Sequence, residues 1–162
     1  MEKVYLRQYE DSDQKAVWQL HVDGLKQTDS FIDDSRFDQD FKNIKKAYLN
    51  NKGEFFVASL NNEVVGMGAL KKVDDKTAEI KRMRVAINHQ GKGIGSMILD
   101  HLTERAKELG YKKLILDTTT NQEAAKRLYE KRGFREFKRS KAGNLEMIYY
   151  EVDLEPTGKN SI

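Results

Sequence analysis

Apolar residues recur along this chain in two rhythms, and the change from one to the other outlines the elements. Short alternating or continuous apolar runs predict strands at Val4–Gln8, in EFFVASL and VVGMGAL on either side of Asn61-Asn62, and at Thr77–Val85. KKLILD, FREFKR and LEMIYYEVDL continue the series, with Gly143-Asn144 at the turn between the last two. Spacings of three and four predict helices instead over Asp11–Leu25 and Phe37–Asn50, the latter with Phe37, Phe41, Ile44 and Tyr48 on one face. A further helix is expected from about Gly93 to Leu109, lined by Met97, Ile98, Leu102, Ala106 and Leu109, and another in QEAAKRLYEKR. Asp11, with Gln14 three residues on, predicts the first N-cap, and Gly110 and Gly133 predict helix ends. The order β-α-α-β-β-β-α-β-α-β-β implies an α/β protein with helices on both faces of a mixed sheet.

The chain has 162 residues, which fits one domain over residues 1–154, with the tail 155–162 expected to be disordered. Charged residues make up 34% and hydrophobic ones 38%, and no apolar run is long enough to span a membrane. With no cysteine, disulfides, thiolate metal sites and a cysteine nucleophile are excluded. The N-terminus is charged from the start, so a cytoplasmic protein is expected. The net charge of +3 is spread among interleaved acids and bases, which argues against nucleic-acid binding while favouring a small polyanionic ligand. His21, His89 and His101 lack metal-ligand spacing and read as structural or surface groups, so no metal is expected.

Residues 88–99, NHQGKGIGSMIL, change the picture. Glycines at 91, 93 and 95 join a strand to a helix, the arrangement that binds phosphate. The first amides of a helix have no intrahelical partner, and the aligned peptides add roughly half a positive charge there. Glycines let an anion approach those amides, here across Gln90, Gly91, Lys92, Gly93, Ile94, Gly95 and Ser96, with Gln90 and Lys92 as added donors. The Walker A spacing is absent and the dinucleotide spacing does not fit. A tight turn serving only helix-sheet packing is the alternative.

QGKGIG, the preceding strand AEIKRMRV and the later NQEAAKRLYEKRGF together resemble the GNAT superfamily of N-acetyltransferases, over roughly Val4–Leu154. The resemblance implies that family's fold: a mixed, mostly antiparallel sheet of six to seven strands flanked by about four helices. It implies acetyl-CoA as donor, a primary amine of a small molecule or peptide as acceptor, and direct attack in a ternary complex. It also allows a homodimer. Residue by residue, it places Glu79 as general base, with an ion pair to Lys81 or a water base as alternatives. Tyr129 would face the sulfur as proton donor, the main chain around Met83, Arg84 and Val85 would receive the pantetheine arm, and Asn121 would cap its helix and touch that arm. Lys126 and Lys131 lie near where the adenosine phosphates would run. The alternative function is a non-catalytic acyl-CoA-binding module.

The acceptor segment implied by the resemblance is QTDSFIDDSRFDQD. Asp29, Asp33, Asp34, Asp38 and Asp40, with Phe31 and Phe37 between them, suggest an acidic, aromatic rim for a cationic amine. In that reading Phe31, Asp33, Asp34 and Glu79 bind substrate. A solvated loop leading into a helix start is the competing reading.

Overall fold

The computed structural model describes residues 3–27 and 38–155. Seven strands form one sheet: β1 (Tyr5–Gln8), β2 (Glu54–Leu60), β3 (Glu63–Lys72), β4 (Thr77–Val85), β5 (Lys113–Thr119), β6 (Arg135–Ala142) and β7 (Leu145–Asp153). Three α-helices accompany them among the described residues: α1 (Gln14–Gln27), α2 (Ile94–Glu108) and α3 (Glu123–Lys131). The strand order is β1-β2-β3-β4-β5-β7-β6, with β4 and β5 parallel and every other pair antiparallel. This is the mixed, mostly antiparallel α/β sheet that the sequence led us to expect.

Each turn has a local cause. Asn61 and Asn62 both take positive φ, 50° and 66°, which suits a tight two-residue hairpin. The chain enters α1 through a 3-10 turn, Asp11–Asp13. Asp13, rather than the expected Asp11, secures this entry: it accepts the Glu10 N–H at 2.9 Å and pairs with both Nη atoms of Arg7. The α2 stripe is Ile94, Ile98, Leu99, Leu102 and Ala106. Met97, expected on the inner face, falls off that stripe and is 40% exposed.

The helix expected over Phe37–Asn50 is instead a 3-10 turn, Gln39–Lys42, and a π-helical turn, Lys45–Leu49. Asn43 breaks it: its backbone leaves the helical region (φ −153°, ψ 83°) and its side chain accepts the Lys46 N–H. Phe41, Ile44 and Tyr48 still share the buried face. Phe37 lies outside the described residues.

The core has two halves. One face of the sheet packs on α2, Tyr129 and Phe134. The other packs Val57, Met67 and Ala69 against Val17, Leu20, Phe41, Ile44 and Tyr48. What positions the site is a defect between these halves. β4 and β5 pair only from Thr77 with Lys113 to Glu79 with Ile115 and then diverge. On its other edge, β4 carries a bulge where the register with β3 shifts between Met67 and Ala69. Arg82 sits in that bulge with φ 59°. Gly68 makes the bulge possible, because a Cβ there would lie 2.5 Å from Ile98 Cγ2 and 2.8 Å from Met83 Sδ.

Candidate active site

Two cavities open on either side of the β4 divergence. The first, of about 340 Å³, runs along the glycine loop and the start of α3. The second, of about 420 Å³, lies between α1, the far half of β4, β5 and the β6-β7 hairpin. They share Met83, Arg84, Gln122 and Tyr129. Anything reaching across from one cavity to the other passes these four residues.

The glycine loop is built as a cradle. Gly91 and Gly93 take φ of 79° and 83°, and a Cβ on either would meet nothing within 4 Å. The glycines therefore serve conformation and an open approach, not packing against the sheet. Gly93 is the N-cap of α2, whose first internal bond runs from Met97 N–H to Gly93 O at 3.1 Å. The amides before it point out of the helix end. Gly91, Gly93, Ile94, Gly95 and Ser96 line the first cavity, together with Met83, Arg84, Val85 and Gln90. This cradle suits a diphosphate.

The side-chain donors expected from the sequence are engaged with the protein or lie off the cavity. The Gln90 side chain forms a reciprocal amide pair with Gln27 and donates to Val85 O at 3.0 Å, so it braces the loop against α1 and β4. Lys92 does not line the cavity; its Nζ lies 3.4 Å from His89 Nδ1. Lys126 also lies off the lining and meets Glu123 at 3.4 Å. Asn121 does not cap α3. Gln122 holds the N-cap position, and Asn121 turns back to accept a hydrogen bond from the Thr119 hydroxyl. Gln122 lines both cavities in its place.

Tyr129 is buried among Phe134 and Tyr150, with ring centroids 5.9 and 6.2 Å away. Burial pushes its phenol up to about 12, so it stays protonated at neutral pH. Among the described residues no group hydrogen-bonds its hydroxyl, and Tyr129 lines both cavities.

Glu79 is half-buried and lines neither cavity. Burial raises its carboxyl pKa, and the charge of Asp117 adds to the rise against Lys81. Asp117, on β5, does line the second cavity, where it stays open to solvent, and desolvation by the surrounding wall raises its pKa as well. Sequence reading missed Asp117, because only the divergence of two strands distant in sequence brings it to the cavity wall.

The acidic cluster is divided. Phe31, Asp33 and Asp34, like Asp29 and Phe37, lie outside the described residues. Asp40 is engaged by Arg82, which donates to it from Nε at 2.9 Å and Nη2 at 2.6 Å, and by the Tyr48 hydroxyl. Asp38 lies 3.6 Å from Arg82 Nη1 and bonds His21 Nε2 at 2.9 Å. His21, expected to be merely structural, is buried at the wall of the second cavity. Burial, reinforced by the charges of Arg82 and Arg84, lowers its pKa to about 3. The neutral ring donates from Nε2 to the carboxylate and leaves Nδ1 bare and unpartnered. Of the remaining histidines, His89 lines the first cavity, and His101 stacks its edge on Phe56.

The acetyltransferase (GNAT) family model matches residues 14–134, most of the chain and the whole run from α1 to the end of α3. The chain belongs to the GNAT family. It is 40% identical over 82 residues to the uncharacterized N-acetyltransferase YsnE of Bacillus subtilis, covering 49% of this chain and 54% of that protein. The chain spans about half the length of the curated relatives it matches. A GNAT acetyltransferase from Staphylococcus aureus Mu50 shares the fold at a TM-score of 0.86 and 24% identity, covering 94% of this chain and all of that one. A GNAT family acetyltransferase from Elizabethkingia anophelis with acetyl-CoA bound matches at a TM-score of 0.70 and 25% identity, over 93% of this chain and 98% of that one.

Proposed function

We propose that this chain is an acetyl-CoA-dependent N-acetyltransferase that passes the acetyl group directly to a primary amine bound alongside. The observation that carries this reading is the meeting of a glycine-cradle cavity and a second cavity at Met83, Arg84, Gln122 and Tyr129. The amides of Gly91–Ser96 hold the diphosphate, and the open edge of β4 beyond Glu79 receives the pantetheine arm. When bound, acetyl-CoA supplies an activated thioester.

The chain's own residues handle the protons. An alkylammonium has a pKa near 10, so the attacking nitrogen must first give one up. Asp117 takes it: the carboxylate fronts the acceptor cavity, and its raised pKa makes it a better base than an ordinary aspartate. Glu79 lies behind as a second carboxylate, which takes the proton through water in the alternative route. As the N–C bond forms and the C–S bond breaks, Tyr129 hands a proton to the leaving sulfur. The unpaired main chain of β4 offers donors to the carbonyl oxygen.

The test is release of free thiol from acetyl-CoA over a panel of amines, polyamines, aminoglycosides and peptides. Amine-dependent release is expected. Tight acetyl-CoA binding by calorimetry with no turnover across the panel would instead identify a non-catalytic acyl-CoA-binding module.

A further inference from the structure

The charges in the acceptor cavity do not balance. Arg82 is committed to Asp40 and Asp38. The three other cations on the wall, Lys81, Arg84 and Lys141, have no ion pair with a carboxylate among the described residues. Among the described residues one carboxylate on that wall lacks such a pair, Asp117, and Glu79 behind it also feels the charge of Lys81. Arg84 is the most telling. Its Nη1 donates only to the neighbouring Met83 carbonyl, at 2.7 Å, while its Nε is buried with no partner. The fold makes special room for it. Gly24, in the last turn of α1, leaves space for it, since a Cβ there would lie 2.5 Å from Arg84 Cδ. Glycine inside a helix costs about 1 kcal/mol relative to alanine, so this room is kept at the expense of stability. A cavity serving only a cationic amine would gain nothing from three unpaired cations, because like charges repel.

We propose that the acceptor carries a carboxylate as well as its amine, an amino acid or a compound of that class. Arg84, Lys81 and Lys141 receive the carboxylate, and Asp117 and Tyr129 flank the amine. Lys81 and Lys141 line only the second cavity, away from the glycine cradle that suits the diphosphate of CoA, so the anion these two await, with Arg84 at the junction, comes from the acceptor. This proposal rests on the acetyl-transfer reading above and names the acceptor class for it.

The experiment compares L-phenylalanine and L-methionine with their α-amides and with the matching decarboxylated amines, reading thiol release from acetyl-CoA. The acids should show KM values at least about tenfold below those of the amides, a difference of about 1.4 kcal/mol. Lys141→Gln, on an exposed hairpin position, should raise KM for the acids more than for the amides and so narrow the gap between them, and Arg84→Gln should narrow it further. Equal KM for acids and amides, or a preference for polyamines, overturns the proposal. If no amine at all is turned over, the acetyl-transfer reading fails. The proposal is then decided by thermal shifts in the presence of CoA: stabilisation by the acids but not the amides supports it, and equal shifts overturn it.

Discussion

Arg82 grips Asp40 with two donors, Nε at 2.9 Å and Nη2 at 2.6 Å, while its own backbone sits at a φ of 59°. A non-glycine residue held there is strained, and this ion pair, with only about a tenth of either side chain exposed, is what holds it. Phe41 adds its ring face 4.9 Å from the guanidinium. The bulge that opens β4 to both cavities is thus locked from the segment that follows α1.

Asp40→Ala should therefore act on stability and on activity together. Removing Asp40 takes away the two shortest charge-assisted bonds of Arg82 while Asp38 stays 3.6 Å from it, at a cost of about 1.5–3 kcal/mol. Denaturant unfolding measures that loss, and thiol release should fall with it. A variant of parental stability would show that the bulge stands without this pair. Gly68→Ala probes the same bulge from β3 and should cost about 1–3 kcal/mol through overpacking against Ile98.

Gly93→Asp should weaken acetyl-CoA binding at least about tenfold, because it adds a negative charge and bulk at the open start of α2. Gly110→Asp is the matched control. Gly110 has a φ of 90° with nothing near its missing Cβ, as at Gly93, but it lines neither cavity. Calorimetry with acetyl-CoA should separate the two variants; equal affinities would remove the cradle from the binding site.

Tyr129→Phe should lower kcat by about a hundredfold, the low end of what a positioned proton donor contributes. Its hydroxyl makes no hydrogen bond among the described residues, so thermal stability should hardly change. An unchanged kcat would make Tyr129 a packing residue alone.

For Asp117→Asn the sign follows from the raised pKa. A carboxyl raised in the folded state binds its proton where the unfolded chain has already lost it. Its contribution to stability is present below the unfolded pKa and is lost as pH rises through the folded one. The variant escapes that loss, so any gain in Tm over the parent appears near neutral pH and vanishes in acid. Turnover moves the other way: kcat/KM of the parent should rise with pH through the raised carboxyl pKa, and Asp117→Asn should lose most of that rise. An identical pH profile in the variant assigns the proton to Glu79 or to water. Glu79→Gln then distinguishes those two, because only the former flattens the profile.

Local patterns in the sequence were enough for the strands, the hairpin at Asn61-Asn62, the α2 stripe and the glycine cradle. Each depends on neighbours in the chain: the alternation of faces, the spacing of an apolar stripe, the demand of a positive φ at Gly93. Tyr129 and the glycine loop could be singled out as candidates for the same reason, since both belong to short motifs. What the tertiary structure alone decided is where separate strands part. The divergence of β4 from β5 brings Asp117 to the cavity wall and leaves Glu79 behind it. The pull of Arg82 on Asp40, 42 residues away in sequence, engages an acid that local pattern had assigned to a substrate rim. Local sequence carries backbone preference and the periodicity of burial; which charges neutralise one another, and which stay unpaired for a ligand, is set only when distant segments pack.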